Sequence, residues 1–221
     1  MDRVVDRRVA PTDLSRALAT VVFVYSIPRW CVRYTDGILT LPGQNEVERV
    51  AAAVRAYNGN IGKYLLVAGS YPEEETWEAL PIERLQQPPY NLTRTANVLI
   101  QPQAQNTKVQ MEWAVEMVRE HGIRSLSLYV TNYHTLRAYF TLLRALQRAG
   151  LRIPVIPVPL EGSPDQISPE EMLSYLEMFD AESARIDKYR GEDFGDVLMP
   201  DEVFEYLNWL YDSFITPLRR P

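Results

Sequence analysis

The segment TNYHTLRA, residues 131–138, places Asn132, His134 and Arg137 between an apolar run and a helical one. With Asn132 as N-cap, His134 falls in the first helical turn and Arg137 lies one turn along the same face. The positive end of a helix disfavours an imidazolium, so His134 there is neutral and competent to exchange a proton. Arg137 supplies a planar fork that fits phosphate or carboxylate. The bland alternative is a histidine bonded to neighbouring backbone and an arginine in a surface ion pair. Asn106 and Thr107 open another helix, either as an ordinary cap or as donors to a ligand oxygen. Gly69-Ser70 after an apolar run reads as a tight turn or as a place where a ligand nears the backbone. Glu73, with Glu74 and Glu75, is a solvated helix start or contains a general base or ribose acceptor. Arg49 is an ion-pair partner or an inward anion clamp.

The elements that must position these groups are legible from periodicity. Residues 12–27 read as a helix. DGILTL (36–41), KYLLVA (63–68), NVLIQ (97–101), SLSLYV (125–130) and IPVIPVPL (153–160) read as five short apolar strands. Between them EVERVAAAVRAY (46–57), NTKVQMEWAVEMVREH (106–121) and residues 133–149 read as helices, closed by Asn58-Gly59, Gly122 and Gly150. Pro88-Pro89 confines residues 71–96 to a short helix and a loop. Pro154, Pro157 and Pro159 send the fifth strand to a sheet edge. Wholly apolar strands alternating with helices predict a Rossmann-like α/β three-layer sandwich with a mostly parallel sheet of about five strands. Residues 1–34 form an N-terminal helical segment, 35–160 the sheet domain, and 161–221 an acidic helical C-terminal extension with Ser168 and Glu171 as a capping box.

In such a sheet the strand-to-helix joints share one edge, where ligands bind and where helix N-termini attract anions. Those joints are 42–45, 69–73, 105–107 and 131–134. All are polar or contain glycine, Gly43 among them. Asp36 begins a strand, on the opposite edge, and is structural. His121 complements a helix C-terminus. Met111, Trp113 and Met117 fill the core.

Composition limits the alternatives. The 221 residues carry a net charge of -6 and show no basic stripe, which argues against nucleic acid. One cysteine, Cys31, and two histidines exclude a disulfide framework and a cysteine- or multi-histidine metal centre. Mg²⁺ remains compatible, since it binds through one or two carboxylates and a ligand phosphate. The apolar run 17–27 is shorter than the ~20 residues a membrane span needs, and no cleavage site follows it. A cytoplasmic protein is expected. The dinucleotide and mononucleotide glycine loops and the serine nucleophile elbow are absent.

The order LVAGS, an acidic segment, QNT opening a helix, and VTNYHTLRA resembles the ElyC/SanA/YdcF family across residues 35–160. That family shows a strand ending in S-G-G, a following Glu, N-T before a helix, and an H-x-x-R-A segment. Here Ala68-Gly69-Ser70 replaces S-G-G, and Leu41-Pro42-Gly43 replaces a glycine-pair loop. The resemblance implies a Rossmann-like sheet with a cleft at its strand ends. It implies functional positions at Arg49, Gly69, Glu73, Asn106, Thr107, Thr131, His134 and Arg137. Some members are membrane-anchored and linked to the envelope, and a soluble member binds S-adenosylmethionine. Arg137 and the helix N-termini are then expected to hold an anionic, nucleotide-like or phosphorylated small molecule, with hydrolase or transferase chemistry on it. Alternatives are a non-catalytic ligand-binding module tied to envelope homeostasis and an interaction protein acting through the acidic tail.

Overall fold

The computed structural model describes residues 13–43, 46–71, 79–168, 171–190 and 195–219. Five parallel strands form one sheet: β1 (Gly37–Thr40), β2 (Tyr64–Val67), β3 (Val98–Ile100), β4 (Leu126–Thr131) and β5 (Val155–Leu160), in the order β3-β2-β1-β4-β5. The connecting helices are α2 (Val47–Asn58), α3 (Ile82–Leu85), α4 (Thr107–Glu120) and α5 (Thr135–Arg148), after α1 (Asp13–Ser26). Right-handed crossovers place α2 on one face and α4 with α5 on the other. α2 accordingly packs on β1, β2 and β4, while α4 and α5 pack together. This is the Rossmann-like α/β sandwich that the alternation of elements predicts.

The strands are mostly apolar because both faces are covered. Every residue of β1 and β4 is buried. The prolines of β5 follow from its position. Its even-numbered residues face β4, since Leu126 N–H donates to the Pro154 carbonyl and Asn132 N–H to that of Leu160. The N–H groups of 155, 157 and 159 therefore point away from the sheet. Proline at 157 and 159 removes no ladder bond. Val155 N–H, which does point out, donates to Tyr206 Oη at 2.8 Å.

Tyr206 belongs to α7 (Pro200–Leu210), which runs through a π-helical turn, Tyr211–Ile215, into α8 (Thr216–Leu218). α7 packs against α1. Val24 and Ile27 at one end of the chain and Val203, Leu207, Leu210 and Ile215 at the other belong to the same buried cluster as the strands. The flanking segments thus complete the sheet's core. α6 (Tyr175–Tyr189) docks differently. Tyr175 and Met178 form a separate small cluster with Tyr133, with the Tyr133 and Tyr175 rings edge to face at 4.9 Å.

Several local expectations are corrected. α5 begins at Thr135, so Asn132 is not its N-cap and His134 stands at the cap position itself, without a side-chain cap bond. Asn132 instead braces the joint. Its Oδ1 accepts from Tyr133 N–H at 2.8 Å and its carbonyl accepts from Tyr25 Oη at 2.6 Å. The capping box in the extension is Ser174 with Glu177, opening α6. Ser168 is buried beside Tyr133, and Glu171 pairs with Arg185. At the end of α2, Asn60 takes the left-handed conformation (φ 60°), while Gly59 has φ -75°. Among the described residues no helix is long and apolar enough to cross a membrane.

Gly69 shows how tightly the strand ends pack. A Cβ there would lie 2.5 Å from the backbone of Gln103. The close approach made possible by this glycine is therefore by the chain's own loop. Gly69→Ala should destabilise the protein by about 1–3 kcal/mol through backbone overpacking. Urea unfolding checks this, and a change within about 0.5 kcal/mol would mean the loop yields freely.

Candidate functional site

The parallel sheet brings the joints after β1, β2, β3 and β4 to one edge, and their polar side chains fall into two groups. The first sits where the strand order reverses, between β1 and β4. Arg49 of α2 is 2% exposed. It pairs with Glu46, one turn before it, and donates to Thr131 Oγ1 at 2.8 Å and Tyr133 Oη at 3.1 Å. Tyr133 Oη in turn donates to Glu46 and lies 3.3 Å from Ser168 Oγ. Gly43 leaves room for this pair, since a Cβ there would lie 2.9 Å from the Arg49 guanidinium carbon. Arg49 is thus an ion-pair partner whose charge is matched within the protein. A buried pair of this kind survives only with further hydrogen bonds, which Thr131 and Tyr133 supply.

The second group joins α4, α5 and α6. Asn106 caps α4, its Oδ1 accepting from Val109 N–H at 3.1 Å. Arg137 Nη1 donates to Thr107 Oγ1 at 2.9 Å. The other edge of the Arg137 fork holds Glu182 of α6, through Nε to Oε2 and Nη2 to Oε1, the latter at 3.1 Å. Arg185 Nη1 donates to Glu182 Oε1 at 2.6 Å. His134 Nδ1 lies 3.2 Å from Glu182 Oε2 and 3.1 Å from Arg137 Nη2. The bidentate geometry is the one an arginine uses for an anionic ligand. Here the anion belongs to the same chain.

Burial and the neighbouring Arg137 charge push the His134 pKa down to about 4, against the opposing pull of Glu182. The imidazole is therefore neutral at pH 7. Burial also works against the charge on Glu182, but hydrogen bonds with His134 and Arg137 and the Arg137 charge hold that carboxyl below its usual range. Arg137 is in an ion pair, as the bland alternative has it, but a largely buried one, and the His134 ring meets side chains of Glu182 and Arg137.

A cavity of about 420 Å³ opens beside this network. Asn106, Thr107, Lys108, Arg137, Lys188 and Asp196 line it. His134 does not. Lys108 reaches Asp196 Oδ1 at 2.9 Å, and Arg148 reaches the same oxygen at 3.3 Å. The cavity combines the start of α4, where Asn106 caps only Val109 N–H with its side chain, with three cationic side chains, a setting suited to an anion.

The expected residues are thus distributed unevenly. Asn106, Thr107 and Arg137 meet at the cavity. Arg49, Thr131 and Gly43 meet at the first group. His134 lies between the two, buried. Gly69 serves packing, with its carbonyl accepting from Gln110 Nε2 at 2.6 Å, and the Ser70 carbonyl accepts from Ala104 N–H at 2.9 Å. Asn132 serves the joint. Glu73, and Gln44 and Asn45 of the first joint, lie outside the described residues. Sequence reasoning missed Glu46, Tyr133, Lys108, Glu182 and Asp196. Glu46 carried a signal, its i,i+3 spacing to Arg49. Tyr133 lay inside the quoted motif. Glu182 and Asp196 carried none, being two acids in an acidic tail. Among the described residues no group of three or more His, Cys, Asp or Glu is placed to hold a metal ion. The chain matches no protein-family model, and no curated protein matches it.

The network makes two expectations. Glu182→Ala strips a buried arginine of its partner and should cost about 3–5 kcal/mol in chemical denaturation. The His134 pKa is lower in the folded protein than the 6.5 of the free side chain. The unfolded chain then binds more protons, and stability falls as the pH drops from about 6.5 toward 4. Between pH 7 and pH 5 the loss from this group should be about 2 kcal/mol. Urea titrations at the two pH values check it. The slope should flatten in His134→Asn, and an equal slope in that variant would assign the effect elsewhere.

Proposed function

We propose that the protein binds an anionic, nucleotide-like or phosphorylated small molecule in the cavity beside α4 and α5, as a cytoplasmic relative of the ElyC/SanA/YdcF family. The observation that carries this reading is the cavity itself. Its volume falls in the range of small-molecule sites, about 300–1,000 Å³. It lies at the carboxyl edge of a parallel sheet and presents a helix N-terminus with Lys108, Arg137 and Lys188. The family reading is supported by residues of the resemblance meeting in two groups: Arg49 with Thr131, and Arg137 with both Thr107 and His134. S-adenosylmethionine and nucleotides are the first ligands to consider, with or without Mg²⁺.

On the enzymatic reading, hydrolase or transferase chemistry uses His134 as the neutral acid/base and Arg137 to hold the anionic group. The second reading is a non-catalytic ligand-binding or regulatory module linked to envelope homeostasis. It is favoured by His134, which is 5% exposed and engaged by Glu182 and Arg137 away from the cavity wall.

Thermal shift with S-adenosylmethionine, S-adenosylhomocysteine, nucleotides, sugar phosphates and phosphate, with and without Mg²⁺, tests binding. A ligand at a hundred times its Kd should add ~2.7 kcal/mol of stability. Lys108→Ala, which leaves the buried Glu182 network intact, should weaken the shift. No shift with any anion would sink the reading. Turnover then separates the two versions. An enzyme should lose about 10²–10⁴ in rate in His134→Asn while still binding ligand. A binding module should turn over none of its ligands.

A further inference from the structure

Arg137 and Lys108, which line the cavity, each hold a carboxylate, and both carboxylates come from the C-terminal extension. Arg137 holds Glu182 through its whole Nε–Nη2 edge, leaving Nη1 toward Thr107. Lys108 holds Asp196 at 2.9 Å, and Asp196 itself lines the cavity. Asp196 is fixed rather than loosely placed. Its side chain is 13% exposed, Arg148 bonds the same oxygen at 3.3 Å, Arg148 also donates to the Gly195 carbonyl at 2.9 Å, and Asp196 N–H donates to the Tyr189 carbonyl at 3.0 Å. Strand-end geometry thus offers positive charge, and the extension, which adds Lys188, also sets a carboxylate against that charge from a fixed position.

We propose that Asp196 is a specificity-determining residue of the cavity and that, with Glu182, it restricts the site to compact ligands bearing one phosphate-type group. This rests on the anion-binding reading above and names its ligand class. A single phosphate has the α4 N-terminus and the unspent donors of Lys108 and Arg137 within reach. A second or third phosphate brings further negative charge into the same space, where the carboxylate of Asp196 lines the wall. Repulsion grows with the ligand's charge and is strong where solvent is partly excluded. Rejection by a fixed like charge is a common means of discriminating between ligands that share a recognition group. The contribution of Glu182 is indirect, because it acts by occupying Arg137.

Isothermal titration of the full chain at low ionic strength, with EDTA present, tests this with orthophosphate, pyrophosphate and tripolyphosphate. Wild type should bind orthophosphate about tenfold more tightly than tripolyphosphate. Asp196→Asn should tighten tripolyphosphate about tenfold and orthophosphate less than about threefold, because the relief scales with ligand charge. Tripolyphosphate binding wild type as tightly as orthophosphate overturns the proposal, as does an equal gain for all three probes in Asp196→Asn. If that variant fails to fold, the wild-type series decides alone. If wild type binds none of the three, the anion-binding reading falls and this inference with it, an outcome distinct from binding without charge preference.

Discussion

The arrangement of the strand-end edge depends on one buried carboxylate. Glu182 is 2% exposed, and a charge so placed is tolerated only with partners on every side. Arg137 and Arg185 supply the charge, and His134 completes the shell. Because Arg137 and His134 belong to the start of α5 and Glu182 to α6, the network ties the C-terminal extension to the sheet domain. The Tyr133–Tyr175 contact and buried Met178 add the apolar part of the same attachment. The polar joint between β4 and α5 is therefore needed by the fold whatever ligand binds nearby.

That requirement changes where a ligand has room. In an open parallel sheet the usual crevice lies where the strand order reverses, here between β1 and β4. Glu46, Arg49, Thr131, Tyr133 and Ser168 fill this place with an ion pair and hydrogen bonds to one another. The open space lies to one side, at the start of α4. There the backbone donors of a helix end are available, while Arg137 contributes from a fork already committed to Glu182. A single arginine thus belongs both to the attachment of the extension and to the wall of the cavity.

The fold was legible for definite reasons. Continuous apolar strands require a sheet covered on both faces, and helical periods between them require parallel crossovers. The prolines of β5 named an edge strand, and the register shows why that edge tolerates them: positions 157 and 159 point their missing donors away from β4. Gly122 and Gly150 do adopt the left-handed conformation that ends a helix. The finer joints were less legible. Asn132 has the right chemistry for an N-cap, but its side chain and carbonyl are taken by Tyr133 and Tyr25, and the helix starts later. Ser168 has capping-box spacing to Glu171, yet burial against Tyr133 removes it from that role.

By itself the sequence determined the α/β class, the strand count, the shared edge of the joints, and the nearness of Arg137 to His134 one turn away. These follow from local period and from the geometry of parallel crossovers, which neighbouring residues encode. Only the tertiary structure decided what the charges at that edge face. Arg49 meets Thr131 across 82 positions, and Arg137 meets Glu182 across 45. No local pattern distinguishes Glu182 or Asp196 from the other acids of the tail. Their roles arise when docking of α6 and the 195–197 segment removes water from around them, so that each buried charge must find its partner in space.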